Sequence, residues 1–118
     1  MTRLRTTIAW AMLLACAPAA HARDLTDNEK VIITDAMRGQ RKAPVWATYK
    51  WPAFASDNPL DYCAWVDQGG GYVAFWTHLN WRDGNLALAY ITMVGGSEAP
   101  PEMVKAICQQ VYGLQPLK

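Results

Sequence analysis

The chain has 118 residues, of which 52% are hydrophobic and 18% are charged, with 11 Lys and Arg against 10 Asp and Glu. This length gives room for one domain of ordinary size, and the composition is that of a globular core rather than of a disordered chain. The balanced charge supplies no basic surface for nucleic acid, so we expect no nucleic-acid partner.

The first 22 residues have the pattern of a secretory signal peptide. Two arginines precede an apolar run, residues 8–15, which is too short to span a bilayer as a stable helix. Ala20 and Ala22 then form an A-x-A cleavage site. We therefore predict cleavage after Ala22 and a single mature domain, residues 23–118, in the periplasm or outside the cell.

The same leader contains a second possible processing site. Leu13, Leu14, Ala15 and Cys16 together look like the lipobox of bacterial lipoproteins, in which the cysteine becomes the acylated first residue. Leucine is unusual just before the small residue, and the A-x-A site follows a few residues later, so we prefer the reading of Cys16 as an apolar leader residue. Membrane attachment is expected only if Cys16 is lipidated.

Cleavage leaves two cysteines, Cys63 and Cys108, in the mature chain. An even number of cysteines in a small exported domain predicts a disulfide, and two cysteines allow only one pairing. Closing a loop of about 45 residues contributes about 4 kcal/mol to stability on the chain-entropy model.

The mature sequence predicts one helix at each end and four strands between them. Thr26 and Glu29 have the spacing of a capping box, and Gly39 with Pro44 supplies a stop, which together predict a first helix over residues 27–39. The four strand candidates are residues 45–51, 62–67, 72–81 and 86–94. A second helix opens at the two prolines and carries an apolar stripe formed by Val104, Ile107, Cys108 and Val111 before Gly113. This order predicts an α+β domain with a four-stranded antiparallel meander flanked by an N-terminal and a C-terminal helix.

The pair Asp83-Gly84 is a strong signal for a two-residue hairpin turn. A regular register from this turn pairs Leu79 with Leu88 on one apolar face of the sheet. The opposite face then collects a second set of side chains, which includes Trp76, His78, Asn80, Ile91 and Met93.

The glycine loop after Asp67 decides which face Cys63 occupies. A loop of three residues places Cys63 on the Leu79 face, where the disulfide would hold the last helix. A loop of four residues reverses the parity of the strand and places Cys63 on the opposite face.

Catalytic and metal-binding groups are scarce in the mature sequence. His78 is its only histidine, and both cysteines are assigned to the disulfide, so a nucleophilic triad lacks members. We interpret Asp57, Asp61 and Asp67 as turn residues and solvated charges rather than as metal ligands or paired carboxylates. We predict no metal, no cofactor and no enzymatic activity, and the remaining enzymatic hypothesis uses His78 with Asp61 or Asp67.

The order of short motifs resembles that of small exported bacterial proteins of unknown function. Their pattern is a short helix, Lys-x-Pro-x-x-Ala, Tyr-Cys-x-x-Val-Asn, Gly-Gly-Tyr and a last helix with a second cysteine. The matching positions are Lys42, Pro44, Ala47, Tyr62, Cys63, Val66, Gly70, Gly71, Tyr72 and Cys108. This sequence departs from the pattern at Asp67, where the family has asparagine, and in a shorter loop before Gly70. The resemblance implies a fold and a disulfide, and it implies no activity.

Aromatic residues account for 12 of the 96 mature residues, more than one small core needs. We predict that Trp76, His78, Ile91 and Met93 form a binding surface, with Trp46 and Trp51 as a second set. The alternative is that the N-terminal helix covers this face.

These observations predict a non-enzymatic binding protein whose partner is another envelope or secreted protein, as for an inhibitor, an immunity factor or an envelope component. The alternative is a glycan- or peptidoglycan-binding module in which tryptophans stack on sugars. In that alternative, Asp57, Asn58 and Asn80 form hydrogen bonds with sugar hydroxyls.

Overall fold

The computed structural model describes residues 22–96 and 98–117; the predicted signal peptide up to His21, with Cys16 as the alternative lipidation site, lies outside this range. The elements are α1 (Asp27–Arg41), β1 (Thr48–Lys50), β2 (Asp61–Asp67), β3 (Tyr72–Arg82), β4 (Asn85–Val94) and α2 (Pro101–Tyr112). The strands form one antiparallel sheet in the order β1-β2-β3-β4. The predicted α+β fold, with a meander and a helix at each end, is confirmed.

Helix α1 begins at the predicted capping box. The Thr26 hydroxyl accepts a hydrogen bond from the Glu29 amide at 3.2 Å, and the Glu29 carboxylate accepts one from the Thr26 amide at 2.8 Å. The helix continues past Gly39 and ends at Lys42, which has a φ of 57° and donates its amide to the Met37 carbonyl. The prediction that Gly39 ends the helix is wrong, because the last turn is held by side-chain bonds from Gln40 and Arg41 to β4.

Each face of the sheet packs against one helix. On the first face, α1 packs in the main core, which includes the fully buried Ile33, Met37, Phe75, Leu79 and Ile91. On the second face, α2 forms a smaller cluster around Cys63, Trp65, Ala74, Val104 and Cys108. The alternative in which the N-terminal helix covers the Trp76 face is therefore wrong, because α2 packs there.

The predicted disulfide joins Cys63 to Cys108. It holds α2 on the Trp76 face and not on the Leu79 face, because the glycine loop has four residues and Asp67 pairs with Tyr72. The Asp67 carboxylate accepts hydrogen bonds from the amides of Gly69 at 2.8 Å and Gly71 at 3.2 Å, which stabilises the longer loop. A disulfide indicates an oxidising compartment outside the reducing cytoplasm.

The β3–β4 hairpin turns at Asp83 and Gly84, whose φ angles of 53° and 79° fit the predicted type I′ turn. The regular register does not extend beyond the turn. Irregularities between Asn80 and Trp81 and between Trp76 and Thr77 each shift the pairing by one residue. As a result, Ile91 pairs with Thr77 and is fully buried under α1, which contradicts its predicted place on the Trp76 face.

Two other elements are smaller than the sequence suggests. Strand β1 has only three residues, because Val45 and Trp46 form a turn in which the Ala47 amide bonds to the Pro44 carbonyl. The apolar stripe of α2 is also narrower, since Val111 is 66% exposed. In the described part of the chain, neither helix is long and apolar enough to cross a membrane.

Candidate functional site

Helix α2 covers only part of the second face of the sheet. It covers the row in which Cys63 pairs with Trp76 and Trp76 with Met93, since Cys63 is bonded to the helix. The rows nearer the hairpin extend beyond the helix. We call this uncovered area, together with Trp76 at its border with the helix, the open face; it consists of Asp61, Trp76, His78, Asn80, Leu88 and Tyr90.

The open face combines apolar and polar side chains on adjacent strands. Asp61 pairs with His78, which pairs with Tyr90, and in the next row Asn80 pairs with Leu88. Leu88 and Tyr90 are each 57% exposed, and 44% of the His78 side chain is exposed. An aliphatic, a phenol and an imidazole group are thus presented side by side on backbone that is fixed by sheet hydrogen bonds.

Asp61 organises the border between the open face and α2. Its Oδ1 atom accepts a hydrogen bond from the Trp76 indole nitrogen at 3.0 Å and lies 3.5 Å from His78 Nδ1. The Tyr112 ring of α2 lies 5.2 Å from the Trp76 ring. Burial, and then the negative charge of Asp61, raise the pKa of the Tyr112 hydroxyl. Trp76 is therefore held in one orientation at the rim of the open face.

The structure separates the predicted binding residues. Trp76 and His78 lie together on the open face, and Met93 lies half-buried beside Trp76 against the α2 cluster. Trp46 and Trp51 lie at the β1 end of the molecule. Trp46 is 64% exposed there, whereas Trp51 is half-buried with its ring 5.1 Å from that of Tyr49.

The predicted acidic candidates do not converge. Asp67 binds its own glycine loop, and Asp57 is an exposed side chain 3.7 Å from the Arg23 guanidinium. Asn58 lies in the same exposed loop with a φ of 51°. Within residues 22–96 and 98–117, no group of three or more His, Cys, Asp or Glu side chains has the geometry of a metal site.

Sequence reasoning missed Leu88 and Tyr90 as surface residues. It placed both on the Leu79 face, because a regular register was assumed from the turn onward. The bulge between Asn80 and Trp81 reverses the parity of β4 from Leu88 to Ile91, and the bulge between Trp76 and Thr77 restores it; no turn residue marks either position. Because the small side chains of Ala87 and Ala89 fit either face, the alternation of residue types along β4 did not indicate the change of face.

No protein-family model, curated protein sequence or solved structure matches this chain. The resemblance to small exported bacterial proteins therefore stays a prediction. The open face is therefore the feature of this chain that bears on its function.

Proposed function

We propose that this chain is an exported, non-enzymatic binding protein that engages a protein partner through the open face. The observation that carries the proposal is the exposure of Leu88 and Tyr90, more than half of each, beside His78 on one face of a sheet. Exposed apolar groups surrounded by polar ones are characteristic of protein-interaction sites. Tyrosine is enriched at such sites because its ring is apolar and its hydroxyl remains hydrogen-bonded.

The open face suits a protein better than a sugar polymer. Its two most exposed large side chains, Leu88 and Tyr90, are aliphatic and phenolic. The Trp76 ring already packs against Tyr112, and its indole nitrogen already donates to Asp61, so it is less free to stack on a sugar. The glycan alternative is supported by a different residue, Trp46, whose ring is 64% exposed at the other end of the sheet.

We propose that the partner is met in the periplasm or outside the cell. The signal-peptide pattern of the first 22 residues and the Cys63–Cys108 disulfide both support export. Lipidation at Cys16 is the alternative, and it would place the same domain at a membrane surface. The mass of the exported protein distinguishes the two, since a chain that starts at Arg23 carries no acyl group.

The experiment is affinity capture from an envelope and secretome extract with the oxidised mature domain, residues 23–118, followed by mass spectrometry. The test variant carries Leu88→Ser and Tyr90→Ser, and the matched control carries Val111→Ser, which changes an equally exposed apolar residue on α2. We expect one saturable protein partner that the parent and the control retain. The double variant should bind it at least about tenfold more weakly, because exposed aromatic and aliphatic contacts dominate such interfaces.

Two outcomes would contradict the proposal. Equal capture by the double variant would remove the open face as the site. Recovery of cell-wall fragments alone, with binding abolished by Trp46→Ala, would establish the glycan alternative. Unfolding midpoints of all variants confirm that the exposed substitutions leave the fold intact.

A further inference from the structure

The two edges of the sheet differ in how their backbone groups are satisfied. At the β4 edge, the Gln40 side chain donates to the Ala89 carbonyl at 2.9 Å and accepts from the Ile91 amide at 2.7 Å. These are the two hydrogen bonds that a neighbouring strand would make. The Arg41 guanidinium also donates to the carbonyls of Ile91 and Thr92. The chain therefore closes this edge with its own side chains.

The β1 edge has no equivalent closure. Within the described part of the chain, strand β1 pairs with β2 alone, so the backbone groups on its other side face away from the sheet. Among the described residues, no side-chain hydrogen bond reaches the backbone of Thr48, Tyr49 or Lys50, in contrast to the pair that Gln40 makes on β4. This edge can accept another strand.

An open groove of about 460 Å³ runs between β1 and α1, and we call it the edge groove. Ala47, Thr48 and Tyr49 line it in succession. Since successive side chains of an extended segment point to opposite faces, a groove lined by three in a row follows the edge of the strand. Trp51, stacked on Tyr49 at 5.1 Å, extends this wall as an aromatic surface.

The opposite wall of the edge groove carries net positive charge. Lys30 and Arg38 lie on α1 eight residues apart, which separates them by about 80° around the helix axis, and both line the groove. Asp35 lies there as well, 3.9 Å from Arg38, which leaves one positive charge in excess. If a second copy of this chain docked here, its Lys30 and Arg38 would lie near Lys30 and Arg38 of the first copy. Repulsion between these positive charges disfavours self-association at the edge groove.

We propose that the edge groove binds a short, extended, acidic segment of a protein, which adds to β1 as a fifth strand beside α1. Backbone hydrogen bonds to β1 would hold the segment, apolar side chains would contact Tyr49 and Trp51, and carboxylates would pair with Lys30 and Arg38. The length of β1 limits the paired part to about three to five residues. This site goes beyond the proposed function, since the edge groove borders the α1 side of the sheet and the open face lies on the α2 side.

The test is a titration of isotope-labelled residues 23–118 with the peptide Val-Val-Glu-Glu-Val-Val-Glu, which presents both valine and glutamate on each face of an extended strand, monitored by amide chemical shifts. We expect saturable shifts at residues 47–51 and along α1. A peptide with lysine in place of glutamate should bind about tenfold more weakly. Two further peptides carry N-methyl groups on alternate amides, one peptide for each of the two alternating sets. The peptide whose methylated amides face β1 should also bind about tenfold more weakly, because it cannot donate backbone hydrogen bonds to β1.

Variants assign the site independently of the open face. Reversing the charges with Lys30→Glu and Arg38→Glu should make the lysine peptide bind more tightly than the glutamate peptide. Arg38→Gln alone should weaken binding of the glutamate peptide. Lys105→Glu on α2 is the matched control and should change neither. The Leu88→Ser and Tyr90→Ser variant should bind the peptide like the parent, so failure of one proposal is distinguishable from failure of the other. Three results would overturn the inference. They are the absence of saturable shifts, shifts centred on residues 88–90, and binding of both N-methylated peptides as tight as that of the unmodified peptide.

Discussion

Glu29 is a charged side chain in the interior, only 6% exposed, and its environment explains why it is tolerated there. The Arg23 guanidinium donates to both carboxylate oxygens at 2.9 and 2.8 Å, and the Thr26 amide donates to Oε1. Arg23 in turn lies over the Phe54 ring at 4.9 Å. A buried carboxylate with every oxygen bonded is stabilised in its ionised form.

This arrangement predicts a specific dependence of stability on pH. The hydrogen bond from Arg23, which outweighs burial, lowers the pKa of Glu29 below its ordinary value of 4.5. Because the folded-state pKa is depressed, the stabilisation is complete above about pH 4.5 and is lost as the pH falls through the folded-state pKa. We expect Glu29→Gln to cost about 1–2 kcal/mol of unfolding free energy at pH 7 and to reduce the loss of stability in acid.

The measurement is the free energy of unfolding by urea between about pH 7 and pH 3. Glu102→Gln is the matched control, since its carboxylate is 81% exposed and pairs only with the neighbouring Lys105. The control should keep the acid sensitivity of the parent. If the unfolding free energy of Glu29→Gln falls with decreasing pH as steeply as that of the parent, other carboxylates determine the acid sensitivity.

At the scale of the elements, the features that the sequence predicted correctly depend on local signals. The capping box at Thr26 and Glu29, the Asp83-Gly84 turn and the glycine that ends α2 each act within a few residues. The second bulge of β4 coincides instead with a distant partner, because Arg41 of α1 binds the carbonyls of Ile91 and Thr92 there. The first bulge, between Asn80 and Trp81, places Leu88 and Tyr90 on the open face, and no residue pattern within β4 indicates it, so the open face was predicted only in part.

The contact between α1 and β4 yields a second prediction. Gln40→Ala removes both hydrogen bonds to β4 and leaves the Ala89 carbonyl and the Ile91 amide without their partner. We expect a loss of about 1–2 kcal/mol in unfolding free energy and faster hydrogen exchange at the Ile91 amide. Gln110→Ala on α2, where the side chain is exposed, is the control and should change neither. Unaltered exchange at Ile91 would contradict the role assigned to Gln40.

The whole molecule consists of a sheet covered on its two faces by the helices from the two ends of the chain. The sequence predicted both helices and the pairing of Cys63 with Cys108, because composition and cysteine count determine them. It did not determine which helix covers which face, because one residue in the glycine loop reverses the side on which Cys63 lies. The loop length follows from hydrogen bonds to Asp67, which only the folded chain shows.

The attachment of α1 and of α2 to the sheet should depend differently on the disulfide. Helix α1 is held in the main core by the buried side chains of Ile33 and Met37, whereas one of the two buried residues of α2, Val104 and Cys108, is the disulfide cysteine itself. Reduction opens a link across 45 residues and should lower the unfolding free energy by about 4 kcal/mol. Since α2 then loses its covalent attachment, and Val104 is its one other buried side chain, we expect it to separate from the sheet before the main core unfolds.

Hydrogen exchange measures this directly on residues 23–118 in oxidised and reduced form, and on the same residues with both Cys63→Ala and Cys108→Ala. Amides of α2 should lose protection in the reduced domain and in the double variant, while those of β3 and of α1 stay protected. Trp65, only 5% exposed beneath α2, should become accessible to a fluorescence quencher under the same conditions. Equal loss of protection in α1 and α2 would instead mean that the two layers unfold as one cooperative unit, with the disulfide stabilising the sheet as a whole.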